Sequence, residues 1–302
     1  MSLLVVGSVA FDALESPYGK VDRTLGGAAT YFAISASFFS PVNLVAIVGD
    51  DFTEKDERVL RGRGIDLEGL ERAAGKTFFW AGRYSENLNE RVTLATDLNV
   101  FAGFKPRLPE KYRSAKYVFL ANIAPDLQRS VLHQVKGKPR LAALDTMNYW
   151  IERSNAELRE TLRHVQVLII NDSETRQLSS EHNLLRAAKH IFRMGPSILV
   201  VKRGEHGAMM VDKHGVFSVP AFPLEEPHDP TGAGDSFAGG FMGYLAQAGR
   251  HEDAALRRAM VYGSVLGSFA VERFGLERLR TLKRPEINAR ARHFAKLTQF
   301  TL

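Results

Sequence analysis

Six short apolar runs, at 3–7, 42–49, 116–122, 140–146, 165–171 and 197–203, most constrain how this chain can fold. They lack strict alternation and are bounded by Gly, Asn or Asp, the pattern of strands covered on both faces. Helix-like segments at 125–135, 151–163 and 184–194 separate the later runs. Parallel neighbours need a crossover rather than a tight turn, so strands and helices alternating at this spacing predict a doubly wound, mostly parallel α/β sheet. We expect 1–302 to form one domain. The stretch 77–100 breaks the rhythm with two β-rich segments around a polar loop at Glu86, Asn87 and Asn89. It is either a β lid standing off the main sheet or an edge hairpin of it. A second hairpin is expected at 208–212 and 215–220.

With 45% hydrophobic and 25% charged residues, the 302-residue chain has ample material for a core, which excludes disordered, collagen-like and coiled-coil classes. There is no cysteine, so disulfides, thiolate metal sites and cysteine nucleophiles are excluded. That suits a reducing, cytoplasmic location. The formal charge is +6, but the Lys and Arg residues are scattered without a run of five, so no nucleic-acid partner is expected. The N-terminal residues lack a charged leader and read as a buried strand, and no stretch approaches eighteen apolar residues, so no membrane association is expected.

The densest chemical signal is HDPTGAGDSFAGGF at 228–241. Gly232, Ala233 and Gly234 form a small-residue bend just before a helix expected at 236–245. Unpaired N–H groups at a helix start, together with the helix dipole, make an anion site. Asp235 in that first turn is either a helix cap or a base held beside a phosphate in transfer. Two other patterns fail. GLERAAGKT at 69–77 has five residues between its glycines where a P-loop needs four, and no strand is expected before it. A dinucleotide fingerprint is excluded by Phe237 in the third glycine place. The nine histidines show no paired ligand spacing.

DPTGAGDSFAGGF closely resembles the signature of the ribokinase-like (PfkB) family of carbohydrate and nucleoside kinases. Other segments resemble the family in family order: GSVAFD, with Asp12 at the end of the first strand; LGGAATYFA, with Gly26 and Gly27; NDSE, from Asn171 to Glu174; and KRGEHG, from Lys202 through Gly204 to Gly207. The resemblance implies a ribokinase-like fold with a small β lid and an ATP- and magnesium-dependent phosphotransferase. Asp235 would be the base, and Gly232, Ala233 and Gly234 the anion hole. Asp12, Gly26, Gly27, Tyr31 and Asn122 would face the substrate. Asn171, Glu174, Lys202, Gly204 and Gly207 would lie beside the nucleotide, with Glu174 ordering hydrated Mg2+. Asp229 would help hold a monovalent cation, K+, with backbone from 271–275.

Each role has a plainer counterpart: Glu174 as a helix-end acid, Asp229 as a turn cap before Pro230, Asp12 as a turn residue. Phe78, Phe79, Trp80 and Tyr84 either pack or cover a substrate ring. Tyr31 and Ala10 stand where family members often carry asparagine, which counts against ribose itself. A generic sugar acceptor is the first expectation, since no base-binding motif is identifiable. The aromatic lid makes an adenosine-like nucleoside the alternative, and a non-catalytic binder is the remote one. The resemblance also implies a homodimer through the lid.

Overall fold

The computed structural model describes residues 2–88 and 90–299; Asn89 of the predicted lid loop lies outside them. The strands are β1 (Leu3–Val6), β2 (Ala10–Ser16), β3 (Gly19–Gly26), β4 (Val42–Val48), β5 (Ile65–Arg72), β6 (Phe78–Tyr84), β7 (Arg91–Asp97), β8 (Tyr117–Leu120), β9 (Leu141–Leu144), β10 (Val167–Asn171), β11 (Ile198–Lys202), β12 (Ala208–Asp212) and β13 (Gly215–Val219). Nine of them form one sheet in the order β13-β12-β11-β10-β9-β8-β1-β4-β5. All pairs from β11 to β5 are parallel, and β12 and β13 add an antiparallel edge.

The continuous apolar runs are explained by burial on both faces. Leu3, Val5, Phe119, Ala143 and Ile169 belong to one core, with the helices Ala28–Ser37, Ala233–Ala248 and Asp253–Ala270. Their neighbours Leu4, Val6, Leu120, Leu144 and Ile170 belong to the other, with the helices Pro125–Gln134, Asn155–Leu162 and Leu184–Phe192. Successive side chains point to opposite faces, so a strand between two helical layers has no polar face to offer. Because β1, β8, β9, β10 and β11 run in parallel, Gly7, Asn122, Asp145, Asn171 and Lys202 all lie at one edge of the sheet, where open α/β sheets collect ligands.

The region 77–100 is not an edge of this sheet. β6 and β7 join β2 and β3 in a separate four-stranded sheet ordered β3-β2-β6-β7, the lid. Asp12 is therefore not at the end of the first strand. The chain turns after β1, where Ser8 accepts from Ala29 N through its carbonyl (3.0 Å) and from Ala28 N through its hydroxyl (3.1 Å). Asp12 is the third residue of β2, in parallel register with Trp80.

Two further expectations are corrected. The helix expected at 151–163 is broken at Ser154, which ends Asn148–Arg153 and opens Asn155–Leu162. A strand does run into the P-loop-like stretch, since β5 extends to Arg72 and Gly69 pairs with Val45 inside the sheet, so no phosphate loop forms there. Among the described residues no helix is long and apolar enough to cross a membrane.

Candidate active site

The glycine bend opens the helix Ala233–Ala248, three residues longer at its start than the apolar pattern marked. Gly232 caps it at φ +71°, a left-handed conformation that is costly with a Cβ. Space forbids one as well, because a Cβ there would lie 2.3 Å from the Tyr31 ring. Ala233 N–H already donates to Pro230 O at 3.2 Å, and Ser236 N–H starts the helical ladder by donating to Gly232 O. Gly234 N–H meets no backbone acceptor among the described residues, so the bend keeps the donor character expected of a helix start.

Asp235, half-buried in the first turn, is held up at about 6 by burial and then by the charge of Asp145, against the pull of Lys202 and Arg91. An acid in that position is poised to accept a proton near neutral pH. Asp12 is 4% exposed, and burial followed by the Asp229 carboxylate lifts it to about 7, with Asp235 adding to the effect and a hydrogen bond from Gly27 opposing it. Asp12, Asp229 and Asp235 thus share one electrostatic neighbourhood although they come from β2, the approach to the bend and the helix. Gly26 makes room for this, since a Cβ there would lie 1.9 Å from Asp12 Oδ2.

Tyr31 feels the charge of all three acids. It is 1% exposed, and its hydroxyl has no hydrogen-bond partner among the described residues. Burial and the charges of Asp12 and Asp229 push its ionisation well above the tyrosine range, so it is a neutral donor.

Asp229 has a defined structural task. Oδ1 accepts from Thr231 N and Oδ2 from Gly275 N, each at 2.9 Å, while Val271 O accepts from His228 N at 2.7 Å. The turn-capping role is thus present, and the carboxylate also ties the bend to 271–275. Glu174 likewise closes a capping box with Asn171: Asn171 Oδ1 accepts from Glu174 N (2.7 Å) and Glu174 Oε2 from Asn171 N (2.9 Å). Burial lifts Glu174 to about 7, with Lys202 drawing it down and Asp145 adding to the rise.

Lys202, the last residue of β11, donates to Asp145 Oδ2 at 3.4 Å. Burial works against its charge, but Asp145, Glu174 and Asp235 outweigh that and raise it above the ordinary lysine range.

Other expected residues do structural work. Asn122 accepts from Trp150 Nε1 (3.0 Å) and donates to Met147 Sδ, so its amide is occupied. Gly204 and Gly207 shape the turn between β11 and β12, where Gly207 N donates to Gly204 O (3.1 Å). In the lid, Phe78 stacks on Phe101 and Phe79 packs on the core, which favours packing for those two. Tyr84 reaches the bend through its hydroxyl, 2.9 Å from that of Thr231. Sequence reasoning missed Asp145 and Arg91. Asp145 carried a usable signal, an acid ending a buried apolar run. Arg91 carried none, because only the lid's folding brings its charge, stacked over Trp80, to bear on Asp235 and Glu174.

The sequence and the fold have parallels in known proteins. The chain is 32% identical over 249 residues to the cytidine kinase of Thermococcus kodakarensis, covering 80% of this chain and 87% of that one. The nucleoside kinase of Burkholderia thailandensis in complex with inosine superposes with a TM-score of 0.79 at 19% identity, covering 99% of this chain and 100% of the other. The aminoimidazole riboside kinase of Salmonella enterica, complexed with aminoimidazole riboside and an ATP analogue, gives 0.76 at 18% identity over 96% and 100%. Residues 2–281 match the pfkB family carbohydrate kinase pattern, and with the lid, the parallel sheet and the acid-bearing glycine bend in place, the chain belongs to that family of phosphotransferases.

Proposed function

We propose that this chain is an ATP-dependent nucleoside kinase that phosphorylates the hydroxymethyl group of its acceptor. The observation that carries the proposal is the convergence of Asp235, at the head of the glycine-bend helix, with Asp12 from the lid in one buried acidic neighbourhood. The similarity to a cytidine kinase favours the nucleoside alternative over the generic sugar acceptor that came first from sequence. Trp80, in register with Asp12, supplies an aromatic face beside the acceptor position.

In this mechanism the Asp12 carboxylate accepts hydrogen bonds from acceptor hydroxyls and fixes the reacting hydroxymethyl group. Asp235 takes the proton of that group while its oxygen bonds to the terminal phosphorus. The bond from phosphorus to the bridging oxygen breaks, and ADP leaves with that electron pair. The Gly234 N–H, which has no backbone acceptor among the described residues, holds the charge spread over the transferring oxygens at the head of the helix, Ala233 N–H being engaged by Pro230 O.

Kinases of this family use ATP with magnesium. Among the described residues no cluster of three or more His, Asp or Glu forms an all-protein metal cage. The Glu174 carboxylate, at the strand edge beside Lys202, suits a hard cation that keeps its waters and phosphate ligands, and Glu174 would order it through water. When bound, magnesium neutralises phosphate charge and polarises the transferring group.

The proposal includes a potassium ion beside the Asp229 link to 271–275, checked by comparing rates in potassium and in a bulky organic cation. It also includes a homodimer through the lid edge, where Val92 and Leu94 of β7 are 63% and 51% exposed, checked by light scattering.

The deciding experiment is an ADP-release screen across nucleosides, sugars and sugar phosphates, run beside Asp235→Asn. We expect fastest turnover on a nucleoside, and a loss of about 10²- to 10⁴-fold in the variant with nucleotide binding retained. A sugar outrunning every nucleoside would overturn the acceptor class, and near-normal turnover by Asp235→Asn would remove the base.

A further inference from the structure

Lys202 and Asp145 form a buried ion pair at the strand edge, with side chains 18% and 7% exposed. At 3.4 Å the contact is long for a charge-assisted hydrogen bond, and among the described residues Asp145 is the lysine's one hydrogen-bonded partner. An ammonium carries three donors, so this one is under-used. Its other surroundings show where it can go. A Cβ on Gly234 would lie 2.9 Å from Lys202 Nζ, which places the ammonium against the first turn of the helix, beside the donors of the glycine bend. Buried cations are retained where they are paired, and a pair with one loose contact facing an anion site is built to exchange partners.

We infer that Lys202 is the cation that meets the transferring phosphoryl group, and that Asp145 is the positioning residue that holds it until that group arrives. Nζ leaves Asp145 Oδ2 for a non-bridging phosphoryl oxygen next to the Gly234 N–H; no proton or bond of the lysine is consumed. The lysine then adds full charge where the bend offers only partial charge. This rests on the kinase proposal above, and goes beyond a general place beside the nucleotide by assigning the lysine to the group in flight. Asp145 keeps the ammonium from collapsing onto Glu174 or Asp235, whose carboxylates are required elsewhere.

The test measures kcat and KM for ATP in Lys202→Met, Asp145→Asn and the double variant, with circular dichroism as the fold control. Removing one partner of a buried pair strands the other charge, so Lys202→Met alone can unfold; the double variant removes both charges and keeps the test decisive. We expect the double variant to fold and lose about 10²- to 10³-fold in kcat with little change in KM for ATP. Asp145→Asn, which keeps the lysine but loosens it, should lose about tenfold in kcat alone. A folded double variant with kcat near wild type, or a loss confined to KM, would overturn the inference while leaving the kinase proposal intact. Absence of ADP release by the wild-type chain on every acceptor would instead defeat the proposal itself.

Discussion

Replacing Asp12 by Asn tests the electrostatics of the site without altering its shape. Burial and the nearby Asp229 carboxylate lift Asp12 from 3.8 to about 7, so the folded chain holds a proton that the unfolded chain has released. The penalty is absent below about pH 4, grows as pH rises and is complete above about pH 7, the reverse of a salt-bridged carboxylate. At 1.36 kcal/mol per pKa unit, the gap is worth about 4 kcal/mol at pH 8 and about 2 kcal/mol at pH 5. The amide keeps an acceptor for Gly27 N–H and carries no charge to bury.

Asp12→Asn should therefore be more stable than wild type in urea titrations followed by circular dichroism, and its advantage should roughly double between pH 5 and pH 8. The same change should lower kcat/KM by about 10- to 150-fold for each acceptor hydroxyl that the carboxylate binds, the worth of a charge-assisted hydrogen bond. Gain in stability with loss of activity is the signature of a group buried for function. A variant no more stable than wild type at pH 8, or one with a pH-independent advantage, would refute the reasoning.

Two other substitutions probe the same cleft. Gly232→Ala must place a side chain at φ +71° and against the Tyr31 ring, so it should cost about 1–2 kcal/mol from the backbone alone. Moving the bend should also cut kcat by about 100-fold, and melting curves with single-turnover rates check both effects. Tyr31→Phe removes a buried hydroxyl without a partner among the described residues, so the unliganded chain should gain about 1 kcal/mol or more. If the acceptor supplies that partner, KM for the nucleoside should rise at the same time; lower stability with unchanged KM would show the hydroxyl to be structural.

How much could be read from the residues alone depends on whether contacts were local or distant. The parallel strands were legible because two-sided burial imposes uninterrupted apolar runs on β1, β4, β8, β9, β10 and β11. β5 was not, since as an edge strand it carries Asp66, Glu68 and Glu71. The bend was legible because its glycines, its acid and its helix are contiguous, and the Asn171–Glu174 capping box because its partners are three residues apart.

The lid was only half legible. Its β6–β7 hairpin is local, whereas β2 reads as a continuation of the first strand until the turn at Ser8 separates them. Asp145 and Lys202 meet only because β9, β10 and β11 lie side by side. A contact made by strand order leaves no spacing in the sequence, yet strand order can be inferred once the strands are known. The polar residues ending the parallel strands, Asn122, Asp145, Asn171 and Lys202, must then gather at one edge of the sheet, where Asp145 is the only acid of the four and so the partner for Lys202.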